Sequence, residues 1–146
     1  MITLIQRVKY AKVIVEKKTI GEINKGLLLY IGFEENDNVE KIQWSINKII
    51  NLRIFSDSEG KMNLSLLDVK GELMVISNFT LPADLNDSGR RPSFTQSAKL
   101  EIAENLYDQF IEEVRKLNIK IANGKFGAMM EIESVADGPV NFILKR

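Results

Sequence analysis

The strongest constraint on the fold of this chain is a change in the period of its apolar residues. Leu27 to Phe33 is a continuous apolar run of buried-strand length. Soon after it, Val39, Ile42, Ile46, Ile49 and Ile50 fall at the spacing i, i+3, i+7, i+10, i+11, one face of a helix. Asp37, with Glu40 behind it in capping-box register, predicts the N-cap of that helix. Upstream, Ile2 to Val8 and Ala11 to Val15 read as short strands. Strand pattern returns at Leu52 to Phe55 and at Leu73 to Ile76, which runs into Ser77-Asn78-Phe79-Thr80. A second amphipathic helix over about Ser97 to Leu117 would bury Ala103, Leu106, Phe110, Val114 and Leu117. The tail offers Ile119 to Ile121, Met129 to Val135 and Val140 to Leu144, with Asp137-Gly138 predicting a tight turn between the last two. Ser56 to Gly60 reads as a turn, and Pro82 to Pro92, with Asp84, Asn86, Asp87, Ser88 and Gly89, as an exposed loop. Many strands with two main helices, and no regular βαβ alternation, make an α+β pattern.

At 146 residues the chain is expected to form one domain, residues 1–146, with no linker or internal repeat. Such a domain buries ~68–70% of its unfolded surface and needs no covalent staple. It contains neither histidine nor cysteine. That excludes disulfides, thiolate nucleophiles, the Ser-His-Asp apparatus and the usual zinc centres. Any chemistry must use carboxylates, hydroxyls, lysine, the backbone, or groups brought by the substrate. Twenty basic residues balance twenty acidic ones, which argues against coating long nucleic acid but allows contact with one RNA end. No signal-peptide stretch and no run of ~18 apolar residues is present, so a cytoplasmic location without a membrane partner is expected. The sequons at Asn63, Asn78 and Asn86 then read as chance matches.

The usual glycine-rich phosphate cradles are absent. Three stretches stand out instead. Ser77-Asn78-Phe79-Thr80 puts two hydroxyls and an amide at a strand end; they either satisfy a turn or present hydroxyls and backbone N–H groups to a developing oxyanion. Ala136-Asp137-Gly138-Pro139-Val140 is either a plain hairpin turn or a rigid recognition device, its Gly-Pro bond open to the cis form. Lys125-Phe126-Gly127-Ala128-Met129-Met130 is either core packing or an adaptable apolar wall for a flat base. Arg90-Arg91, ahead of Pro92-Ser93-Phe94, is a solvated pair or a phosphate clamp.

From end to end the chain resembles the D-aminoacyl-tRNA deacylases, also called D-tyrosyl-tRNA deacylases. The likeness rests on Ile5-Gln6-Arg7-Val8, Asn51-Leu52-Arg53-Ile54-Phe55, Lys61-Met62-Asn63-Leu64-Ser65, Gly89 to Phe94, Phe126-Gly127-Ala128-Met129 and Asp137-Gly138-Pro139-Val140. It implies a mixed, barrel-like sheet with two main helices, assembled as a homodimer. It also implies hydrolysis of the ester joining a D-amino acid, or misplaced glycine, to the 3′-terminal adenosine of tRNA. With neither histidine nor cysteine, and no ligand spacing among the acidic residues, no cofactor or metal is expected. The family's Ser-Gln-Phe-Thr motif falls on Ser77 to Thr80, making Ser77, Asn78 and Thr80 the catalytic candidates, with Phe79 beside the substrate. Its Asn-x-Gly-Pro-x-Thr motif falls on Ala136 to Asn141, where Gly138-Pro139 is expected to be cis and to reach into the partner's pocket. Asn78, Ala136 and Asn141 depart from that pattern, standing for glutamine, asparagine and threonine.

In the mechanism the resemblance favours, the RNA's own 2′-hydroxyl takes part in catalysis. The lack of histidine agrees with this, because a threonine without a neighbouring base is a poor nucleophile. Backbone N–H groups of Phe79 and Thr80 would then stabilise the oxyanion. Carbonyls of Gly138 and Pro139 would wall off an L side chain and leave a D side chain free. Arg7 would hold the incoming turn, and Phe126, Gly127, Ala128, Met129 and Met130 would line the adenosine site, with Phe126 and Met130 flanking the base. Two rival readings are a catalytically impaired module that binds a tRNA end or a nucleotide, and a dimeric interaction protein without a ligand.

Overall fold

The computed structural model describes residues 1–86 and 89–146; Asp87 and Ser88, part of the expected exposed loop, lie outside the described residues. The elements run β1 (Ile2–Val15), β2 (Lys18–Ile23), β3 (Gly26–Gly32), α1 (Val39–Asn51), β4 (Phe55–Ser56), β5 (Met62–Leu64), β6 (Glu72–Ser77), α2 (Leu100–Arg115), β7 (Ile121–Asn123) and β8 (Glu131–Lys145). The main sheet has the order β2-β1-β3-β6-β7, with β8 on the other edge of β1, while β4 and β5 form a separate ribbon. β3 with β6 and β6 with β7 are parallel pairs; the other pairings are antiparallel. The sheet curls until β2 meets β7, where a side chain on Gly21 would stand 3.2 Å from Ala122 Cβ. An α+β core with two helices results, as the apolar pattern predicts, and its sheet is barrel-like, as the resemblance implies.

The apolar run of β3 is explained by burial on both faces. Leu27, Leu29 and Ile31 pack with Ile42, Ile46, Ile49, Phe110 and Val114 in the core beneath the helices. Leu28 packs with Val8, Val13, Ile23, Met74 and Ile76 inside the curled sheet. The first helix buries Ile42, Ile46, Ile49 and Ile50, as its spacing requires. Its N-cap is Asn38 rather than Asp37: Asn38 Oδ1 accepts the Lys41 N–H at 3.0 Å. Asp37 is drawn elsewhere, onto the Met1 ammonium at 2.7 Å and the Lys41 ammonium at 3.0 Å. The second helix starts at Leu100, not Ser97, and Leu117 lies beyond its end, 42% exposed.

Strand boundaries differ more. Ile2 to Val8 and Ala11 to Val15 are one strand, β1, because β8 pairs along nearly all of it. β2 replaces a stretch with no assignment, Leu52 to Ile54 is not strand, and the first tail segment, expected at Ile119 to Ile121, is displaced to Ile121–Asn123. The expected turn at Asp137-Gly138 does not form a hairpin. β8 runs on from Glu131 to Lys145 and bulges instead. Gln6 pairs with Asn141 and Val8 with Ala136, so Asp137 to Val140 bow out opposite Arg7 alone. The Gly138–Pro139 bond within the bulge is cis. Gly138 has φ +133°, and a Cβ there would stand 2.7 Å from Val140 Cγ2, so only glycine fits. No helix among the described residues is long and apolar enough to cross a membrane.

Candidate active site

The C-terminal ends of parallel strands β6 and β7 open on one side of the sheet, the usual place for a ligand crevice in open parallel sheets. β6 ends at Ser77 and passes into a turn, Asn78 to Leu81, closed by the Leu81 N–H on the Asn78 carbonyl at 3.3 Å. Gly32, at the end of β3, lets this turn sit close: a Cβ there would stand 2.6 Å from Pro82 Cδ and 2.8 Å from the Asn78 carbonyl oxygen. After β7 the chain runs through Phe126 to Met130 on the facing wall. Phe126 packs on Tyr107 with ring centroids 5.8 Å apart. Tyr107, buried in α2, donates to the Val75 carbonyl at 2.8 Å and the Gly124 carbonyl at 3.2 Å, tying both strand ends together. Burial pushes its phenol well above the usual tyrosine range.

Between these walls lies a cavity of about 450 Å³ lined by Ser77, Asn78, Phe79, Phe94, Ser97, Ala98, Leu100, Ala103 and Phe126 through Met130. Eight of the predicted site residues therefore meet there: Ser77, Asn78, Phe79, Phe126, Gly127, Ala128, Met129 and Met130. Thr80 stands next to them on the exposed turn. Its hydroxyl donates to Asn78 Oδ1 at 2.6 Å, and its N–H reaches the same oxygen at 3.1 Å. The expected pair of free amides, Phe79 and Thr80, is thus reduced to one, because the short asparagine side chain folds back on Thr80.

Arg7, Gly138 and Pro139 do not line the cavity of their own chain. Arg7 lies buried under the bulge, its Nε 3.0 Å from Asp137 Oδ2 and 3.1 Å from the Asp137 carbonyl oxygen, while Nη1 donates to the Ile54 carbonyl. It holds its own Gly-Pro segment. Gly138 and Pro139 are exposed at the crest. Arg90 and Arg91 are exposed and carry no ion pair among the described residues.

Sequence reasoning missed Phe94 and Ser97. The loop after the turn is pinned by the Asp84–Ser93 bridge and by the Ala98 N–H on the Phe33 carbonyl at 2.9 Å. That returns Phe94 to Phe79, ring centroids 5.3 Å apart, and brings Ser97 Oγ to the Phe79 carbonyl at 3.0 Å. Phe94 falls in the Gly89 to Phe94 stretch and Ser97 at the expected start of the second helix, but no local pattern places either in the pocket, because their contacts cross a loop. Among the described residues no titratable side chain lines the cavity. Nor does any group of three or more carboxylates there have a metal-holding arrangement. The site can shape, bury and donate hydrogen bonds, and offers no side chain suited to taking a proton near pH 7.

Fold and site define a class: a two-helix α+β protein with a barrel-like sheet and an apolar, hydroxyl-edged pocket at the ends of parallel strands. A family model described as D-Tyr-tRNA(Tyr) deacylase matches residues 4–145. The chain is 51% identical to a D-aminoacyl-tRNA deacylase of Thermosipho africanus over 99% of this chain and 96% of that one. It is also 51% identical to one of Fusobacterium nucleatum, over 99% and 95%. The chain belongs to the D-aminoacyl-tRNA deacylase family. Among solved structures it is similar to a c-Myc DNA unwinding element binding protein, with TM-score 0.92, 34% identity, and 100% and 99% of the two chains covered. A probable eukaryotic D-amino acid tRNA deacylase, 17% identical with TM-score 0.84 over 98% and 97%, shares the fold.

Proposed function

We propose that this chain hydrolyses the ester bond between a D-amino acid, or glycine, and the 3′-terminal adenosine of tRNA, in the cytoplasm as part of translational proofreading. The observation that carries the reading is the cavity itself, apolar enough for a base and an amino acid yet without a titratable side chain. Such a site suits a substrate that brings its own reactive hydroxyl. Ser77 and the Asn78–Thr80 turn then position the ester, a backbone N–H of the turn stabilises the tetrahedral oxyanion, and Phe126 and Met130 hold the adenine. The 2′-hydroxyl of the terminal ribose takes the acid–base part that no side chain offers. No metal or cofactor enters the scheme.

Rejection of L-amino acids would come from a second copy of the chain. Gly138 and Pro139 are exposed on a bulge and stand outside their own chain's cavity, which supports a role in a partner's. Backbone carbonyls make a wall that side-chain substitution cannot soften. The departures at Ala136 and Asn141 flank the bulge: Asn141 Oδ1 accepts from Gln6 Nε2 at 3.0 Å, a strand-to-strand link beside the crest.

The test is deacylation of D-Tyr-tRNA and L-Tyr-tRNA alongside tRNA binding. Hydrolysis of the D-ester at least about 100-fold faster than the L-ester is expected, near 2.7 kcal/mol of discrimination. Binding without hydrolysis would leave an RNA-end binding module. Neither would leave an interaction protein.

A further inference from the structure

The hydrogen-bonding groups of the Asn78-Phe79-Thr80 turn can be accounted for one at a time. The Asn78 N–H donates to the Ile31 carbonyl at 2.7 Å, and the Asn78 carbonyl accepts from Leu81. The Phe79 carbonyl accepts from Ser97 Oγ. The Thr80 carbonyl accepts the Ala83 N–H at 3.1 Å. The Thr80 N–H and hydroxyl both donate to Asn78 Oδ1. One main-chain group is left over, the Phe79 N–H, which meets no acceptor among the described residues. Phe79 and Asn78 both line the cavity.

We infer that Asn78 is a positioning residue acting through Thr80, and that the Phe79 N–H is the single backbone donor to the oxyanion. The inference rests on the proposed deacylase reading and refines it. An asparagine side chain can close a hydrogen-bonded ring onto the N–H two residues on, mimicking a backbone turn. Glutamine, with one more methylene, closes that ring less readily. Here the ring consumes the Thr80 N–H that would otherwise point outward. It also fixes the direction of the Thr80 hydroxyl: its proton is committed to Asn78 Oδ1, so toward the substrate the oxygen can only accept. Its partner would be a donor on the substrate, either the α-ammonium or the ribose hydroxyl.

Two measurements test this. The first is single-turnover hydrolysis of D-Tyr-tRNA by wild type, Asn78→Ala, Thr80→Val, the double variant and Asn78→Ser, with tRNA affinity measured for each. Asn78→Ala should slow the step by about 10-fold with affinity unchanged. The double variant should be at least about 5-fold faster than the product of the single losses requires, since residues in one network are non-additive. Asn78→Ser, whose hydroxyl closes the same turn more weakly, should recover part of the rate. Multiplying losses, or weakened tRNA binding in Asn78→Ala, would make Asn78 a direct substrate contact and overturn the inference. The second is amide hydrogen exchange followed by NMR, which does not depend on activity. The Thr80 amide should exchange at least about 10-fold more slowly than that of Phe79, and Asn78→Ala should erase the difference. Equal exchange in wild type refutes the turn. If wild type does not hydrolyse D-Tyr-tRNA, the functional reading falls, and exchange alone decides the turn.

Discussion

At the scale of single residues, the site depends on what is small or missing as much as on what is present. Gly32 has no side chain to occupy the space taken by Pro82 and the Asn78 carbonyl. Gly32→Ala would force a methyl against backbone 2.8 Å away, and the turn must then shift. A stability loss of about 1–3 kcal/mol is expected, as for other overpacked positions, with deacylation falling more steeply than tRNA binding. Urea unfolding and single-turnover rates check both parts; unchanged rates would show that the turn tolerates the shift. Of the motif Ser77 to Thr80, the first three residues line the pocket and Thr80 stands beside them. The motif did not disclose the direction of Asn78 Oδ1, because a side-chain-to-backbone ring and a substrate contact use the same residue type. Arg7, expected to hold an incoming turn, instead contacts Asp137 and Ile54 of its own chain.

At the scale of elements, helices were the easier part to read. Their burial follows a period that local sequence carries, as Ile42, Ile46 and Ile49 show. β8 was misread because Asp137-Gly138 is a strong local turn signal that non-local pairing with β1 overrides. β2 went unassigned because most of it is exposed and carries no apolar alternation. Among the described residues β8 pairs with β1 only, leaving one edge open along its length. Phe142 is 42% exposed and Ile143 69% exposed there. A long edge with exposed apolar residues is a template for a second copy. Ile143→Asp should leave monomer stability within about 0.5 kcal/mol, as for a surface change, yet convert a dimer to a monomer in sedimentation velocity. Discrimination between D- and L-Tyr-tRNA should collapse with it, because the Gly138–Pro139 wall would be lost. A monomeric wild type that discriminates fully would contradict the cross-subunit reading.

At the scale of the whole molecule, two layers of core hold a pocket that contains almost no chemistry of its own. One layer lies inside the curled sheet and the other beneath the helices. The absence of histidine and cysteine, evident in the sequence, matches a cavity without a titratable lining. On this account the protein orients, buries and selects, while the RNA supplies the proton chemistry. The measurement that tests this most directly is single-turnover hydrolysis of D-Tyr-tRNA ending in adenosine or in 2′-deoxyadenosine. Positioned acid–base catalysis is worth ~10²–10⁴-fold, so removing the 2′-hydroxyl should slow hydrolysis by at least about 100-fold while tRNA affinity persists. Full activity on the deoxy substrate, or a trapped acyl ester on Thr80, would contradict the account.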